Sequence, residues 1–296
     1  MLDVRRLRLL VELSRRGTIA AVAHALAYSP SAVSQQLAVL EKESGSKLLE
    51  PIGRRVRLTP AGELLVVRGE RILTELEQAS IALEAATGSV GGTVRLAAFQ
   101  SAALTVLPLA LISLRQQHPS LRIEVTEMEP EQSLPALTAG DFDLVLAEEY
   151  PGRPRPHLAG VDRRDIIEDR LQLVVPEAGG VRRIDDVAGE EFAMEPVGTA
   201  AREWSETVCR AAGFEPMVTY TSTDLQIQLR MVDHSLAVAL LPELADAARY
   251  SRVVAGPLPG DPVRRIFAAT RAGGFDRPAV SAITETVSAV GQRATR

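Results

Sequence analysis

The chain has little cysteine and no long apolar segment. Cys209 is the only cysteine among 296 residues, so no internal disulfide can form, which fits a reducing compartment. No apolar run approaches the ~20 residues that span a bilayer, and the first residues lack the apolar core and cleavage site of a signal peptide. A chain of this length can bury a sizeable core without disulfides. We therefore expect a soluble, cytoplasmic protein of about two domains that makes no membrane contact.

Motifs of common enzyme classes are also missing. The sequence has no HExxH, CxxC, GxSxG or phosphate-loop motif and no dinucleotide fingerprint. Its four histidines are scattered, and Cys209 falls in an amphipathic helical pattern that suits a small core residue. The sequence therefore predicts neither an enzyme nor a bound cofactor or metal.

The net charge of −5 conceals an uneven distribution. Residues 1–60 carry ten basic and five acidic side chains, a net charge of +5, so the rest of the chain sums to −10. A basic head on an acidic body is typical of a protein whose head binds nucleic acid. A merely solvated surface with uneven charge has the same composition, so the local pattern has to decide.

Three short helices are predicted before residue 50, and the second and third form a helix-turn-helix. Gly17 ends the first helix, Thr18 caps the alanine-rich second one, and Ser29 with Pro30 starts the third. The third helix turns Val33, Leu37 and Leu40 inward and leaves Ser31, Ser34, Gln35 and Ala38 on its outer face.

The start of the third helix is expected to enter the major groove of DNA. The predicted base contacts are Pro30, Ser31, Ser34 and Gln35, with Thr18 as a further DNA-contacting candidate. The following segment, KLLEPIGRRVRLT, predicts a two-stranded wing in which Arg54, Arg55 and Arg57 contact phosphate. A generic three-helix module without DNA affinity is the alternative interpretation.

The run AAVAHALAYSPSAVSQQLAVLEKESGSKLLE, followed by GRRVRLTPAGELL, resembles the LysR-type transcriptional regulators almost position for position. The resemblance implies a winged helix-turn-helix over residues 1–58. The wing departs from the family pattern, because Leu49, Glu50 and Pro51 stand where Phe-x-Arg is usual. With one phosphate-binding arginine replaced, DNA affinity would depend more on the three arginines that follow.

A long helix is predicted over residues 59–90, starting from the cap and proline at Thr59 and Pro60 and ending near Thr87. Its apolar stripe has the heptad spacing of a coiled coil and consists of Leu65, Gly69, Ile72, Leu76, Ala79, Leu83 and Ala86. Packing of this helix on its own domain is the alternative. The family resemblance favours dimerisation, which would supply two heads for a two-fold symmetric DNA site.

From Thr93 onward strand and helix patterns alternate, which indicates an α/β domain with a largely parallel sheet. Two such halves with a cleft between them resemble periplasmic binding proteins, the architecture that the LysR-type effector domain implies. The resemblance implies crossovers near Val161–Arg163 and Pro262–Arg264. Lobe 1 would then comprise residues 91–162 completed by 264–296, and lobe 2 residues 163–263.

Ligands in such sheets bind beyond the carboxyl ends of the strands, beside helix N-termini. By this rule the predicted effector-binding residues are Gln100, Ser101, Ala102 and Glu127 on one wall and Val197, Gly198, Thr199, Ser222 and Thr223 on the other. Each could instead serve only as a helix cap or turn former. Gln100, Ser101 and Thr199 match effector-contacting positions of the family.

Two further features concern the identity of the effector. Carboxylates at strand ends, Glu127, Glu129 and Glu148, suggest a cationic or amine-bearing ligand, although acidic residues there are often only solvated. The run VDHSLAVALLP departs from the family pattern, because Asp233, Ser235 and Ala237 replace glycines. We expect these side chains to narrow or reshape the cleft.

The sequence thus predicts a sequence-specific transcriptional regulator controlled by a small-molecule effector. Its expected partners are double-stranded promoter DNA, the effector, further copies of the chain in a dimer or tetramer, and RNA polymerase. Two alternatives stay open: an α/β solute-binding protein or enzyme whose N-terminal helices only dimerise, and a DNA-binding protein without sequence preference. Salt-dependent binding to a promoter fragment would separate them.

Overall fold

The computed structural model of the protein describes residues 1–26, 28–53, 55–88, 90–180 and 183–295. The chain divides into two compact units, Met1–Thr87 and Gly88–Arg296.

The N-terminal unit is a helical head with a two-stranded wing. Its elements are α1 (Val4–Arg16), α2 (Ile19–Ala25), α3 (Pro30–Ser44), β1 (Leu49–Ile52), β2 (Arg55–Leu58) and α4 (Pro60–Thr87). The predicted caps are confirmed: Gly17 ends α1 in the left-handed region, and the Thr18 and Ser29 side chains accept hydrogen bonds at the starts of α2 and α3. The predicted hairpin is also confirmed, since β1 and β2 pair antiparallel.

The core of the head lies among α1, α2, α3 and the start of α4. It is built mainly from Leu9, Leu10, Leu13, Val22, Val33, Leu37 and Leu40. Two glycines of α4 permit close packing here. A Cβ at Gly62 would lie 2.3 Å from the Leu48 carbonyl oxygen, and one at Gly69 would lie 2.9 Å from a Leu7 methyl carbon. These positions therefore need glycine because neighbouring backbone and side chain already fill the space.

The apolar stripe of α4 has two different environments. Its first part packs within the head, where Leu65 adjoins the core and Gly69 meets α1. Further along, Ile72, Leu76 and Leu83 are exposed, by 42%, 46% and 71%. The prediction of one continuous seam is therefore corrected, because the first two positions of the stripe are occupied by the chain's own head.

The C-terminal unit contains a seven-stranded sheet and a separate pair of parallel strands. The sheet strands are β3 (Gly92–Ala98), β4 (Leu121–Glu127), β5 (Leu144–Glu149), β6 (Val161–Pro176), β9 (Ala239–Pro242), β10 (Val253–Pro257) and β11 (Val263–Arg271). Their order is β10-β6-β11-β5-β3-β4, with β9 also paired to β6. The parallel pair is β7 (Glu191–Met194) with β8 (Met217–Thr221).

Helices cover these sheets. They are α5 (Leu107–Gln117), α6 (Pro130–Ala139), α7 (Ala200–Ala211), α8 (Leu225–Asp233) and α9 (Pro278–Ala294), and a turn of π-helix at Ala102–Val106 precedes α5. α5 and α9 share one apolar cluster with β3 and β5, while α6 packs on the opposite face. α7 and α8 pack on two further clusters around β7 and β9.

The sheet differs from the predicted one in its strand directions. Among the strands that the structure describes, β3 pairs parallel with β4 and β5, and β7 with β8, whereas β6 pairs antiparallel with β9, β10 and β11. β6 extends over sixteen residues and exchanges partner from β11 to β9 near Leu171. The expected lobe boundaries at 162/163 and 263/264 fall at the first residues of β6 and β11, and the assignment of the lobes stays a prediction.

Candidate DNA-contacting surface and effector site

The outer face of α3 is polar and free of long acidic side chains. Ser31, Ser34 and Gln35 are exposed, while Val33 and Leu37, which alternate with them along α3, are buried. At the start of α3 the Ser29 hydroxyl accepts a hydrogen bond from the Ala32 amide at 3.2 Å and lies 3.0 Å from the Ser31 hydroxyl. The helix thus presents short hydrogen-bonding groups from its first turns, which suits contact with base edges.

The other predicted contact of the helix-turn-helix is the cap of α2. The Thr18 hydroxyl accepts a hydrogen bond from the Ala21 amide at 3.1 Å. An ion pair that the sequence did not reveal ties α3 to α1: Arg6 pairs with Glu43 and donates to the Gln36 side chain at 2.8 Å. Because Arg6 and Glu43 lie 37 residues apart and belong to no motif, only the packing of the two helices brings them together.

The wing contains an ion pair that bears on its predicted role. Glu50 on β1 lies opposite Arg57 on β2, and Arg57 Nε donates to Glu50 Oε1 at 2.8 Å. Arg57 therefore carries a charge that its own wing partly neutralises. Arg55 pairs with Ile52 in the hairpin backbone, and Arg54 lies outside the described residues.

The side chains of Glu41 and Thr59 hold the base of the wing in place. The Glu41 carboxylate accepts hydrogen bonds from the Leu48 and Leu49 amides at 2.9 and 3.1 Å. Partial burial favours a higher pKa for Glu41, but the hydrogen bonds from these amides and from Lys47, together with the Lys47 charge, outweigh it. The pKa of Glu41 is therefore lowered. Thr59 donates to the Lys47 carbonyl at 2.7 Å and accepts from the Gly62 amide. The hairpin is thereby held to α3 and α4.

In the C-terminal unit Gln100 connects the end of β3 with the start of α8. Its amide nitrogen donates to Asp224 Oδ1 at 2.8 Å, and its amide oxygen accepts from the Leu225 amide at 2.7 Å. Ser222, predicted on the opposite wall, accepts from the Asp224 amide at 3.0 Å. Gln100 and Ser222 are therefore brought together at one helix N-terminus, while Thr223 beside them is exposed.

Ser101 and Ala102, the next predicted residues, are buried. Ser101 accepts a hydrogen bond of 2.6 Å from the buried Arg264, and Ala102 lies in the apolar cluster under α5. Arg264 also pairs with the buried Asp169 at 2.7 Å and lies 3.4 Å from the Tyr150 hydroxyl. This network joins the ends of β3 and β5 to β6. No pattern in the sequence indicates it, since an arginine at the start of a strand is usually exposed.

The remaining predicted residues lie at the start of α7 and at the end of β4. Thr199 caps α7 by accepting from the Arg202 amide at 3.2 Å, Gly198 has a φ of +96°, and Val197 is 85% exposed. Glu127 is exposed at the end of β4. Gly198 thus allows the tight turn that leaves Val197 exposed directly before the start of α7.

Acidic side chains gather at the carboxyl ends of the parallel strands. Burial, together with the charges of Glu148, Glu195, Glu127 and Glu131, raises the pKa of Glu129 to about 8. Burial also raises the pKa of Glu195 to about 7, although a hydrogen bond with Thr199 opposes the shift. The pKa of the buried Glu148 is raised by desolvation despite Arg264 and Arg155. Glu131 and Glu195 were not singled out in the sequence.

The three residues that replace family glycines lie at the far end of α8 from Gln100. Asp233 pairs with Arg230 and Arg252 at 3.1 and 3.4 Å, and Ala237 is buried. Ser235 has a φ of +57°, in the left-handed region that favours glycine. Asp233 and Ala237 thus pair or pack at the C-terminus of α8, and the reshaping of the cleft stays a prediction.

Cys209 is a buried core residue of α7, as predicted. Burial raises the pKa of its thiol to about 12, so the thiolate is a minor species near neutral pH.

A winged helix-turn-helix in one unit and an α/β unit with polar strand ends in the other define a DNA-binding regulator that responds to a small molecule. Residues 4–63 match the family model "Bacterial regulatory helix-turn-helix protein, lysR family", and residues 87–292 match "LysR substrate binding domain". The chain belongs to the LysR family of transcriptional regulators. It is a regulatory protein rather than an enzyme.

Individual relatives agree with this assignment. A probable hydrogen peroxide-inducible genes activator of Streptomyces viridosporus is 31% identical over 264 residues, which cover 85% of this chain and 82% of the relative. A full-length variant of OxyR from Pseudomonas aeruginosa superposes with a TM-score of 0.73 at 21% identity, covering 100% of this chain and 98% of that one. CbnR complexed with its target DNA has a TM-score of 0.56 at 22% identity over 98% of this chain and 100% of that one. At these identities the two structures show the fold alone.

Within the described ranges, no helix combines the length and the apolar character needed to cross a membrane.

Proposed function

We propose that α3 reads promoter DNA through Pro30, Ser31, Ser34 and Gln35, while Thr18 and the wing arginines hold the phosphate backbone. The observation that carries this proposal is the outer face of α3, where exposed short polar side chains alternate with buried apolar ones. Gln can hydrogen-bond adenine in two positions, and Ser accepts from or donates to several bases. The protein would act in the cytoplasm, where DNA and RNA polymerase are its partners.

The test is a titration of the full-length protein against its own upstream intergenic DNA and a scrambled fragment, across a range of salt. We expect tighter binding to the native fragment, with affinity falling steeply as salt rises because Lys and Arg release condensed counterions. Equal binding to both fragments would favour a protein without sequence preference. No binding at low salt would favour the solute-binding alternative.

Two sets of variants separate the contacts that recognise bases from the contacts that bind the phosphate backbone. Ser34→Ala with Gln35→Ala should reduce discrimination between the two fragments, by about 1–3 kcal/mol for a bidentate contact. Replacement of Arg54 and Arg55 by alanine should weaken both complexes about equally and lower the salt slope. Ser281→Ala, on α9 of the other unit, is the matched control and should change neither quantity.

We further infer that an effector binds at the strand ends of the C-terminal unit, near Gln100, Thr199 and Ser222. Gln100 supports this inference, because it bridges β3 to the start of α8 through two hydrogen bonds that a ligand can replace. A ligand that binds one arrangement of these elements better than another shifts their equilibrium and, through a dimer or tetramer, changes half-site contacts. Identical footprints and bend angles with and without a compound that binds this unit would refute the mechanism.

A further inference from the structure

The first turn of α1 is joined to α3 by directional contacts as well as by apolar packing. Arg6 Nε donates to Gln36 Oε1 at 2.8 Å, and the same guanidinium forms an ion pair with Glu43. The Asp3 amide also donates to Glu43, at 3.3 Å to Oε2. We call Arg6, Gln36 and Glu43 the α1–α3 clamp, because they fix the start of α1 to one side of α3.

The clamp contacts α3 on a different side from the one that is proposed to face DNA. Gln36 and Glu43 are seven residues apart, so they lie on one side of the helix with their Cα atoms about 10 Å apart along its axis. Gln36 directly follows Gln35, which places it about 100° around the helix from that proposed base contact. The two contact points therefore define the position of α3 along its axis and the rotation that turns Gln35 outward.

Apolar packing alone fixes this rotation less closely. Val33, Leu37 and Leu40 bury the inner face of α3 in the head core, but hydrophobic burial is non-directional. Hydrogen bonds weaken steeply when donor and acceptor leave their alignment, and those with a charged partner are the stronger kind. The Arg6 and Glu43 side chains are only 25% and 21% exposed, so salt screens their attraction less than that of a fully exposed pair. The clamp therefore opposes rotations of α3 that apolar packing would tolerate.

We propose that Arg6 is a positioning residue for base recognition, which holds α3 in the rotation at which Ser34 and Gln35 reach base edges. The inference rests on the proposal that α3 reads promoter DNA, and it adds a residue that acts through α3 without touching the bases. Bidentate hydrogen bonds to one base require both partners in line, so they depend on the rotation of α3. Phosphate contacts carry no sequence information, and the clamp should therefore affect sequence discrimination far more than DNA binding in general.

The experiment is fluorescence anisotropy of the full-length protein with its own upstream intergenic fragment and with a scrambled fragment, at one salt concentration. For Arg6→Gln we expect the ratio of the two affinities to fall at least about fivefold, the effect of losing one base contact. Glu43→Gln should lower the ratio in the same direction, although the loss of a negative charge would by itself strengthen binding to both fragments. Arg8→Gln removes an exposed arginine of the same helix and is the matched control, which should leave the ratio unchanged.

Equal weakening of both complexes by Arg6→Gln and by Arg8→Gln, at the wild-type ratio, would show that Arg6 acts only as a positive charge and would overturn the inference. Circular dichroism and thermal unfolding verify that each variant is folded at the assay temperature. If Arg6→Gln is not folded, Glu43→Gln decides in its place, and an unchanged ratio in that variant would overturn the inference equally. In a double-mutant cycle the combined variant should lose less than the product of the two single losses, because both substitutions break one interaction. Independent losses would contradict a shared clamp.

The variant that combines Ser34→Ala with Gln35→Ala separates the positioning role from the reading function on which it rests. If this variant loses discrimination and Arg6→Gln keeps it, α3 reads DNA and only the positioning role is refuted. If the wild-type protein binds both fragments equally, the reading function and the positioning role are refuted together.

Discussion

Glu50 weakens the wing as a phosphate-binding device. Arg57, one of the side chains expected to contact DNA, donates to Glu50 across the hairpin at 2.8 Å, and both side chains are exposed. Phosphate has to compete with an internal carboxylate for this guanidinium, and the carboxylate also repels DNA directly. Compared with the usual Phe-x-Arg pattern, the wing thus lacks one arginine, and a second arginine, Arg57, is occupied by its ion pair with Glu50.

Glu50→Gln should therefore raise DNA affinity. We expect about a threefold to tenfold gain at low salt, equal for native and scrambled fragments, and a salt slope steeper by about one counterion. Fluorescence anisotropy over a salt series measures both quantities. The double variant Glu50→Gln with Arg57→Gln is the control, since it should lose the gain; a gain that survives in the double variant would mean that Arg57 does not mediate it.

Ser235 is held in a backbone conformation that costs a serine energy. Its φ of +57° lies in the left-handed region, where a Cβ is disfavoured by roughly 1–2 kcal/mol. Ser235→Gly should stabilise the protein by about 1 kcal/mol in chemical denaturation. Ser235→Ala keeps the Cβ and should give no such gain, so equal effects of the two substitutions would contradict an origin in backbone strain.

Local signals identified most of the elements correctly. Caps and prolines at Thr18, Ser29 with Pro30, and Thr59 with Pro60 mark helix starts because they satisfy amides within a few residues. Strand β10 has no clear signal in the sequence, since VVAGP contains both glycine and proline. The first residues of β6, Val161–Arg163, are where the family resemblance implies a crossover, and they pair there with the end of β11.

The candidate site was predictable only in part. Strand-end position identifies Gln100, Glu129 and Thr199, because it depends on the alternation of elements along the chain. The partners of these residues are remote: Gln100 meets Leu225 at a separation of 125 residues, and Arg264 meets Ser101 at 163. Such pairings follow from the order of the strands in the sheet, which the hydrophobic periodicity of the sequence does not predict.

The exposed part of α4 is the element that we expect to join two copies of the chain. Ile72, Leu76 and Leu83 repeat at heptad-like spacing without contact to the head core, whereas Leu65 and Gly69 are used within it. Leu83→Glu should weaken self-association at least about tenfold, because the seam would then bury a charge. Analytical ultracentrifugation measures this, with Ala82→Glu on the neighbouring face as control; unchanged association in Leu83→Glu would mean that copies associate elsewhere.

The acidic group of the C-terminal unit makes the stability of the whole protein depend on pH. The pKa values of Glu129 and Glu195, about 8 and about 7, lie above the ordinary value of 4.5. A raised pKa in the folded state contributes stability below pH 4.5 that is lost as pH rises through the folded value. The charges that act on Glu129 are those of Glu127, Glu131, Glu148 and Glu195, and those on Glu195 include Arg264.

Thermal unfolding should therefore show a midpoint that falls as pH rises from about 4.5 to about 8, the interval between the ordinary pKa and the raised folded-state values. The double variant Glu129→Gln with Glu195→Gln should have a flatter profile over the same range, because glutamine does not ionise. A wild-type midpoint that stays level or rises over this range would contradict the assignment, as would a variant that retains the full slope.

The order in which the ribosome delivers the chain has a consequence for its folding. β5 pairs with β3 soon after both are made, but its other neighbour is β11, and Arg271 at the end of β11 donates to the Leu137 carbonyl 134 residues earlier. At roughly 5–20 residues per second, β5 waits many seconds for that partner, with one edge unpaired. During synthesis this edge is the part of the nascent protein that a chaperone would be expected to cover.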